Sequence, residues 1–214
     1  VNTIDYSALG RAQAEYKALG YQPVEVPWRV STGILDVTRP PLSRGDYVIA
    51  GTDKGLIASG EQGFMTLMNK GILPPGKYQT ITPCFRNEPY DETHSKQFMK
   101  LELIEIIEGQ QVFDELALEL ANTALAVMSK VDHLIGPYLE IEEQFPEDRL
   151  LISRAYDVNF VCRGKVELGS FGVRRAFFGS WVYGTGLAEP RFSKCAANLR
   201  VHPELTSTRV PPSA

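Results

Sequence analysis

Between Tyr6 and Leu19 the apolar residues Leu9, Ala12, Tyr16 and Leu19 recur at helical spacing, and Gly20 supplies a stop, so an amphipathic helix is predicted. Tyr21 to Val26 then alternates, with Val24 and Val26 as β-formers ahead of Pro27, which predicts a strand that ends or lies at an edge. Pro40, Pro41 and Gly45 mark a loop, Tyr47 to Ala50 begins a further predicted strand, and Glu61 to Met68 reads as a helix closed off by Gly71, Pro74, Pro75 and Gly76. Lys77 to Phe85 and Phe98 to Ile107 are predicted to pair around an acidic loop. The longest periodic segment, Phe113 to His133, turns Leu116, Leu120, Ala124, Val127 and Val131 to one side of a helix. Beyond Gly136-Pro137 an acidic stretch carries no element, strands are expected near Leu150 to Arg154, Asp157 to Cys162 and Val166 to Ser170, and Gly184-Thr185-Gly186 precedes a predicted helix from Leu187 to Asn198. No repeat or low-complexity segment interrupts this order. Hairpin-like strands with helices at the start, middle and end predict an α+β domain on a largely antiparallel sheet, covering residues 1–201, with 202–214 as a loose tail.

Composition narrows the class. The chain of 214 residues can bury one sizeable core. No stretch approaches the roughly 18 to 20 apolar residues of a membrane span, and the first residues, with Asp5 and no basic run before an apolar one, do not read as a signal peptide. A cytoplasmic, soluble protein with no membrane partner is expected. Cys84, Cys162 and Cys195 lack CxxC spacing, so buried free thiols are expected in place of a disulfide framework or zinc knuckle. Lys plus Arg total 22 against 26 Asp plus Glu, a net charge of −4. No basic stripe suited to a nucleic-acid backbone is visible. The nearest thing to a patch is Arg163, Lys165, Arg174 and Arg175, which a solvated strand edge explains equally well.

The run Cys84-Phe85-Arg86-Asn87-Glu88-Pro89, followed by His94, Gln97-Phe98 and Leu101-Glu102-Leu103, carries the most chemistry. Two antiparallel strands and their loop can turn an arginine, two carboxylates and an aromatic ring toward one ligand. A guanidinium neutralises a phosphate bidentately, Phe98 offers a flat face to a base, and Glu88 can accept from an exocyclic amine. An isolated tetrapeptide of this kind is more often a charged hairpin. Further matches along the chain reverse that balance.

These residues resemble the catalytic domain of class II aminoacyl-tRNA synthetases, whose motif 2 reads approximately FRxE, a loop, then Phe and Glu on the return strand. The wording around Thr82-Pro83-Cys84-Phe85-Arg86 and Gln97-Phe98-Met99-Lys100-Leu101-Glu102-Leu103 is similar to seryl enzymes, while Asp91-Glu92-Thr93-His94-Ser95 resembles the loop of phenylalanyl enzymes. The early helix, Gly20-Tyr21, strand and Pro27 resemble motif 1, which implies a homodimer. Leu56-Ile57-Ala58-Ser59-Gly60-Glu61 resembles the Thr-x-Glu loop that holds the α-amino group, with Ser59 and Glu61 in those places; a helix cap at Ser59 is the competing reading. Ala155-Tyr156-Asp157 and Glu167-Leu168-Gly169-Ser170 resemble the seryl segment leading into motif 3, with Arg174-Arg175 as its double arginine, and Gly184 to Arg191 is the motif 3 candidate.

The resemblance implies the class II fold and a freestanding, ATP-dependent, adenylate-forming ligase. The acceptor left open is a tRNA, a carrier protein or a small nucleophile, and an amide-forming ligase of the asparagine-synthetase type fits as well. It implies Arg86 on the α-phosphate and the substrate carboxylate, Glu88 and Phe98 on adenine, and His94 and Arg191 on the outer phosphates. Glu102 and Glu167 would serve Mg²⁺ or the substrate amine, and Ser59, Glu61, Glu102 and Ser170 the acid. Only Phe171-Gly172-Val173 separates Ser170 from Arg174, so serine specificity does not carry over. The absence of cysteine around Ala58-Ser59 argues against zinc in the pocket. Two other classes stay open: a non-catalytic paralogue that binds ATP or an amino acid and regulates a partner, and a dimerisation module built on the motif 1 surface.

Overall fold

The period read between Tyr6 and Leu19 forms helix α1 (Tyr6–Ala18) in the computed structural model, which describes residues 3–38, 46–87, 95–109, 114–135, 139–144, 155–161 and 165–201. Asp5 caps α1 by accepting from Ala8 N at 2.9 Å, and Gly20 takes a positive φ of 95° beyond its end. A short strand β1 (Gln22–Pro23) follows, shorter than the alternation from Tyr21 to Val26 predicts. Pro23 has no N–H to donate, and pairing ends once Val24 N reaches the Gln79 carbonyl.

Strands β2 (Arg29–Ser31) and β3 (Lys54–Leu56) pair as a small separate sheet, with helix α2 (Thr32–Val37) after β2. The strand expected from Tyr47 to Ala50 reduces to one bridge, Val48 to Gly55, because a tight turn with Gly51 at φ 73° brings Ile49 N directly onto the Lys54 carbonyl. Helix α3 (Gly60–Asn69), strands β4 (Gly76–Phe85) and β5 (Gln97–Ile107) and helix α4 (Asp114–Val131) match the patterns that predict them. Then come β6 (Leu139–Gln144), β7 (Ala155–Val161), β8 (Lys165–Ala176), β9 (Gly179–Glu189) and helix α5 (Arg191–Val201).

The seven-stranded sheet runs β1-β4-β5-β9-β8-β7-β6 and is antiparallel throughout except for the parallel β1–β4 pair, so the α+β, largely antiparallel expectation holds. Strand β6 was hidden in the sequence by its glutamates, which suit a strand at the sheet edge. The strand expected at Leu150 to Arg154, Cys162, and the tail from His202 lie outside the described residues. After the central strand β9, the helix expected from Leu187 starts only at Arg191. Gly184-Thr185-Gly186 is part of β9, where Leu187 pairs with Leu101 and Pro190 forms the break before the helix.

The two faces of the sheet explain where a site can form. On one face, Leu101, Leu103, Phe171, Val173, Val182 and Leu187 pack beneath α1, α4 and α5. On the other, Tyr78, Ile104, Ile106 and Trp181 pack under α2, α3 and β2. That second cover reaches only one end of the face. Gly184 and Gly186 press against the first core, on Phe171 and Leu120 and on Leu101 and Tyr16. A Cβ on Gly186 would meet Leu101 Cδ2 at 2.3 Å and the Tyr16 ring at 2.9 Å, and the Tyr16 hydroxyl donates to the Gly186 carbonyl at 3.0 Å. Gly186→Ala is expected to destabilise the fold by about 1–3 kcal/mol through overpacking, read as a lower urea midpoint. An unchanged midpoint would show that Tyr16 and Leu101 can yield.

Candidate functional site

Where α3 leaves the sheet uncovered, a cleft of about 260 Å³ opens over the ends of β4, β5, β8 and β9. Gly60 lets the start of α3 press onto that surface: a Cβ there would lie 2.6 Å from the Glu102 carboxylate and 3.1 Å from Thr82 Oγ1. The Ile57–Ser59 segment is pinned from both sides. Phe85 N donates to the Ile57 carbonyl at 2.9 Å, and Ala58 N donates to Gln62 Oε1 at 2.8 Å.

Arg86 stands just past the end of β4, where its N–H closes the hairpin onto the Lys96 carbonyl at 3.0 Å. Its Nε donates to the Ala58 carbonyl at 3.1 Å, and the guanidinium carbon lies 5.2 Å from the centroid of the Phe98 ring. Phe98, Lys100 and Glu102 share one face of β5 by the two-residue period of a strand, so one strand delivers an aromatic, a cation and a carboxylate to the cleft. A guanidinium over an aromatic face is itself attractive. A base stacking on that same face of Phe98 would take the guanidinium's place.

Glu102 is 4% exposed and heavily engaged: it accepts from the Ser59 hydroxyl and the Gly60 N–H, and Lys100 Nζ lies 2.8 Å from its Oε1. Ser59 is the first flanking residue of α3 but makes no capping bond with its side chain, so its hydroxyl serves Glu102 instead of the helix end. Cys84, beneath this cluster, is buried, and burial together with the Glu102 charge pushes its thiol up to about 12. It is not poised as a nucleophile.

Glu61 points the other way along the cleft floor. Its Oε1 accepts from Trp181 Nε1 at 2.8 Å and its Oε2 faces Arg174 Nη1 at 3.2 Å. Burial raises the Glu61 carboxyl, opposed by Arg174 and Trp181. Arg174 is 8% exposed, with its guanidinium carbon 4.4 Å from the Tyr183 ring centroid, so it does not belong to a surface basic patch; Arg163 lies outside the described residues. Gly172 makes room for that ring, since a Cβ there would meet the Tyr183 hydroxyl at 2.5 Å.

The far wall is built by β8 and the start of α5. Arg191 Nη1 donates to the Glu167 carbonyl at 2.6 Å, the Glu167 side chain is exposed at the rim, and Ser170 N donates to Thr185 Oγ1 at 3.3 Å. Ser59, Glu61, Arg86, Phe98, Glu102, Glu167, Ser170 and Arg191 thus border one cleft, while Glu88 and His94 lie outside the described residues. Sequence reasoning missed Lys100, Tyr183 and Lys194, which also border it. Among the described residues no group of three or more His, Cys, Asp or Glu is placed to hold a metal ion. Glu167 fits the single carboxylate that Mg²⁺ needs when phosphate oxygens and water complete its shell, whereas Glu102 already holds three donors.

Glu189, at the junction of β9 and α5, is fully buried with its Oε1 accepting from the Ser193 hydroxyl at 2.7 Å. Burial lifts its carboxyl from 4.5 to about 7, against the pull of Ser193. Below pH 4.5 both folded and unfolded states hold the proton; as pH rises toward 7 the unfolded chain releases it first, so stability falls across that window. The total is about 3 kcal/mol. Glu189→Gln is expected to be the more stable protein at pH 8 and to lose that advantage at pH 4.5, measured by denaturant unfolding at both. An equal difference at the two pH values would exclude titration of Glu189 as the cause.

No family model matches the chain, nor does any curated protein sequence. Solved structures do. Seryl-tRNA synthetase from Pyrococcus horikoshii complexed with ATP is 18% identical with a TM-score of 0.68, over 89% of this chain and 49% of that one. PylSc, a pyrrolysyl tRNA synthetase from Desulfitobacterium hafniense, is 18% identical at 0.66, over 87% and 66%. Cytoplasmic serine-tRNA ligase from Naegleria fowleri in complex with AMP is 17% identical at 0.63, over 89% and 52%. The chain spans about half the length of the seryl enzymes. Its fold is that of a class II aminoacyl-tRNA synthetase catalytic domain.

Proposed function

We propose that residues 1–201 form a catalytic domain that activates an amino acid or a similar carboxylic acid with ATP, giving an acyl-adenylate and pyrophosphate. The observation that carries this reading is the meeting of Arg86, Phe98, Glu102, Glu167 and Arg191 on one cleft, from strands and a helix far apart in sequence. The substrate carboxylate attacks the α-phosphorus and its P–O bond to pyrophosphate breaks. No protein nucleophile is required. Arg86 neutralises charge at the α-phosphate and orients the carboxylate, Phe98 receives adenine, and Arg191 holds the outer phosphates. Glu167 is the residue to hold Mg²⁺, which would screen the phosphates.

An incoming ammonium would meet Glu61 and Glu102, two carboxylates that already face buried cations. This favours, as a second reading, a domain that binds nucleotide or acid without turnover. Acid-dependent ATP–pyrophosphate exchange across the twenty standard amino acids separates the two. Exchange with one or a few acids is expected. ATP binding with silence throughout, also with acids lacking the α-amino group, would favour the binding-only reading. A tRNA, a carrier protein or a small nucleophile remains the acceptor to test after exchange is seen, and dimerisation through the α1–β1 surface is part of the same proposal.

A further inference from the structure

The cleft has a closed end. Along β5 the residues on its face run Phe98, Lys100 and Glu102, and the next, Ile104, already belongs to the second core under α3. Tyr183 on β9 pairs with Ile104, so it stands where the cleft meets that core, bordering the one and packing on the other. Gly172 lies opposite it on β8 with no side chain to displace the ring, and the Arg174 guanidinium carbon sits 4.4 Å from the ring centroid. Glu61 faces that guanidinium at 3.2 Å and accepts from Trp181, whose ring stacks on Phe178 with centroids 5.6 Å apart. Tyr183 is thus a wall backed by a buried ion pair and an apolar core.

Arg86 and Glu102 engage neighbouring residues, the Ala58 carbonyl and the Ser59 hydroxyl, so an acid with its carboxylate on Arg86 extends over Glu102. Glu102 pairs with Thr185, and Ile104 and Tyr183 form the rung two residues further in, a distance of about 7 Å along the strands. A van der Waals contact with the ring takes about half of that, leaving length for about two to three bonded atoms beyond an α-carbon. We propose that Tyr183 sets the size limit of the acid this cleft accepts, admitting small side chains and excluding long or aromatic ones. The assignment rests on the activation reading above and narrows its substrate class. A larger side chain would run into a ring that cannot retreat, because the space behind it is filled.

The test is acid-dependent ATP–pyrophosphate exchange by the full chain, with glycine, alanine, serine and lactate set against leucine, phenylalanine and phenyllactate. In the wild type the best small acid is expected to exceed the best large one by at least about a hundredfold in kcat/KM. Tyr183→Ala should narrow that ratio by at least about tenfold, and Tyr183→Phe, which keeps the ring, should preserve it. Tyr183→Leu, which retains packing on the second core, supplies the same comparison should the alanine variant fail to fold. A large acid as the preferred wild-type substrate, or a ratio unmoved by removal of the ring, would overturn the assignment and leave activation standing. Loss of the ratio in Tyr183→Phe would overturn it as well, placing selectivity in the hydroxyl and not in the ring. Wild-type protein that binds ATP yet gives no exchange with any acid would reject the activation reading, and this assignment with it.

Discussion

Arg86→Ala is expected to lower acid-dependent ATP–pyrophosphate exchange by about a hundred- to a thousandfold, with the fold intact. Arg86 borders the cleft from a fixed backbone position, where the Lys96 carbonyl closes the hairpin and the Ala58 carbonyl orients Nε. A guanidinium is a planar fork of donors that fits a carboxylate and a phosphate at once, which is what attack at the α-phosphorus requires. Losing its hydrogen bond to Ala58 and its contact with the Phe98 ring costs about 1–2 kcal/mol against a typical stability of about 5–15. Arg86→Lys keeps the charge but loses the fork, so it should recover little of the rate. Exchange that survived Arg86→Ala within about tenfold would remove this residue from the centre of the mechanism.

Much of the cleft was legible because strands repeat every two residues. Once Lys77 to Phe85 and Phe98 to Ile107 pair, Phe98 and Glu102 must share a face, and Arg86 must sit where the hairpin closes. Lys100 lies between them on that same face and could have been read by the same rule. Lys194 was obscured by a boundary error: with the helix begun at Leu187 it falls deep in the helix, and only a start at Arg191 places it in the first turn. Tyr183 carried no local signal, and Arg174, singled out as one of a double arginine, carried none that marked it as buried. Their placement follows from the β8–β9 register, which sets Arg174 opposite Trp181 and Tyr183 opposite Gly172, and from α3 arriving over that face with Glu61. Long-range pairing of this kind cannot be read from spacing.

The same distance in sequence makes the Glu61–Arg174 pair a sensitive point. Arg174→Met is expected to cost about 3–5 kcal/mol, because it takes from a buried carboxylate the cation that faces it. Glu61→Leu should cost a comparable amount by taking away the carboxylate that faces the buried guanidinium. Against a typical total of about 5–15 kcal/mol, either change is enough to lower the urea midpoint steeply. The double variant Glu61→Leu with Arg174→Met removes both charges and fills their volume with apolar atoms, so it should be more stable than either single variant. That ordering separates a buried pair from two unrelated surface charges, for which the double would cost the sum of the singles. Should Arg174→Met unfold within about 1 kcal/mol of the wild type, the guanidinium would be acting through the cleft alone, and Glu61 would be available to a substrate ammonium.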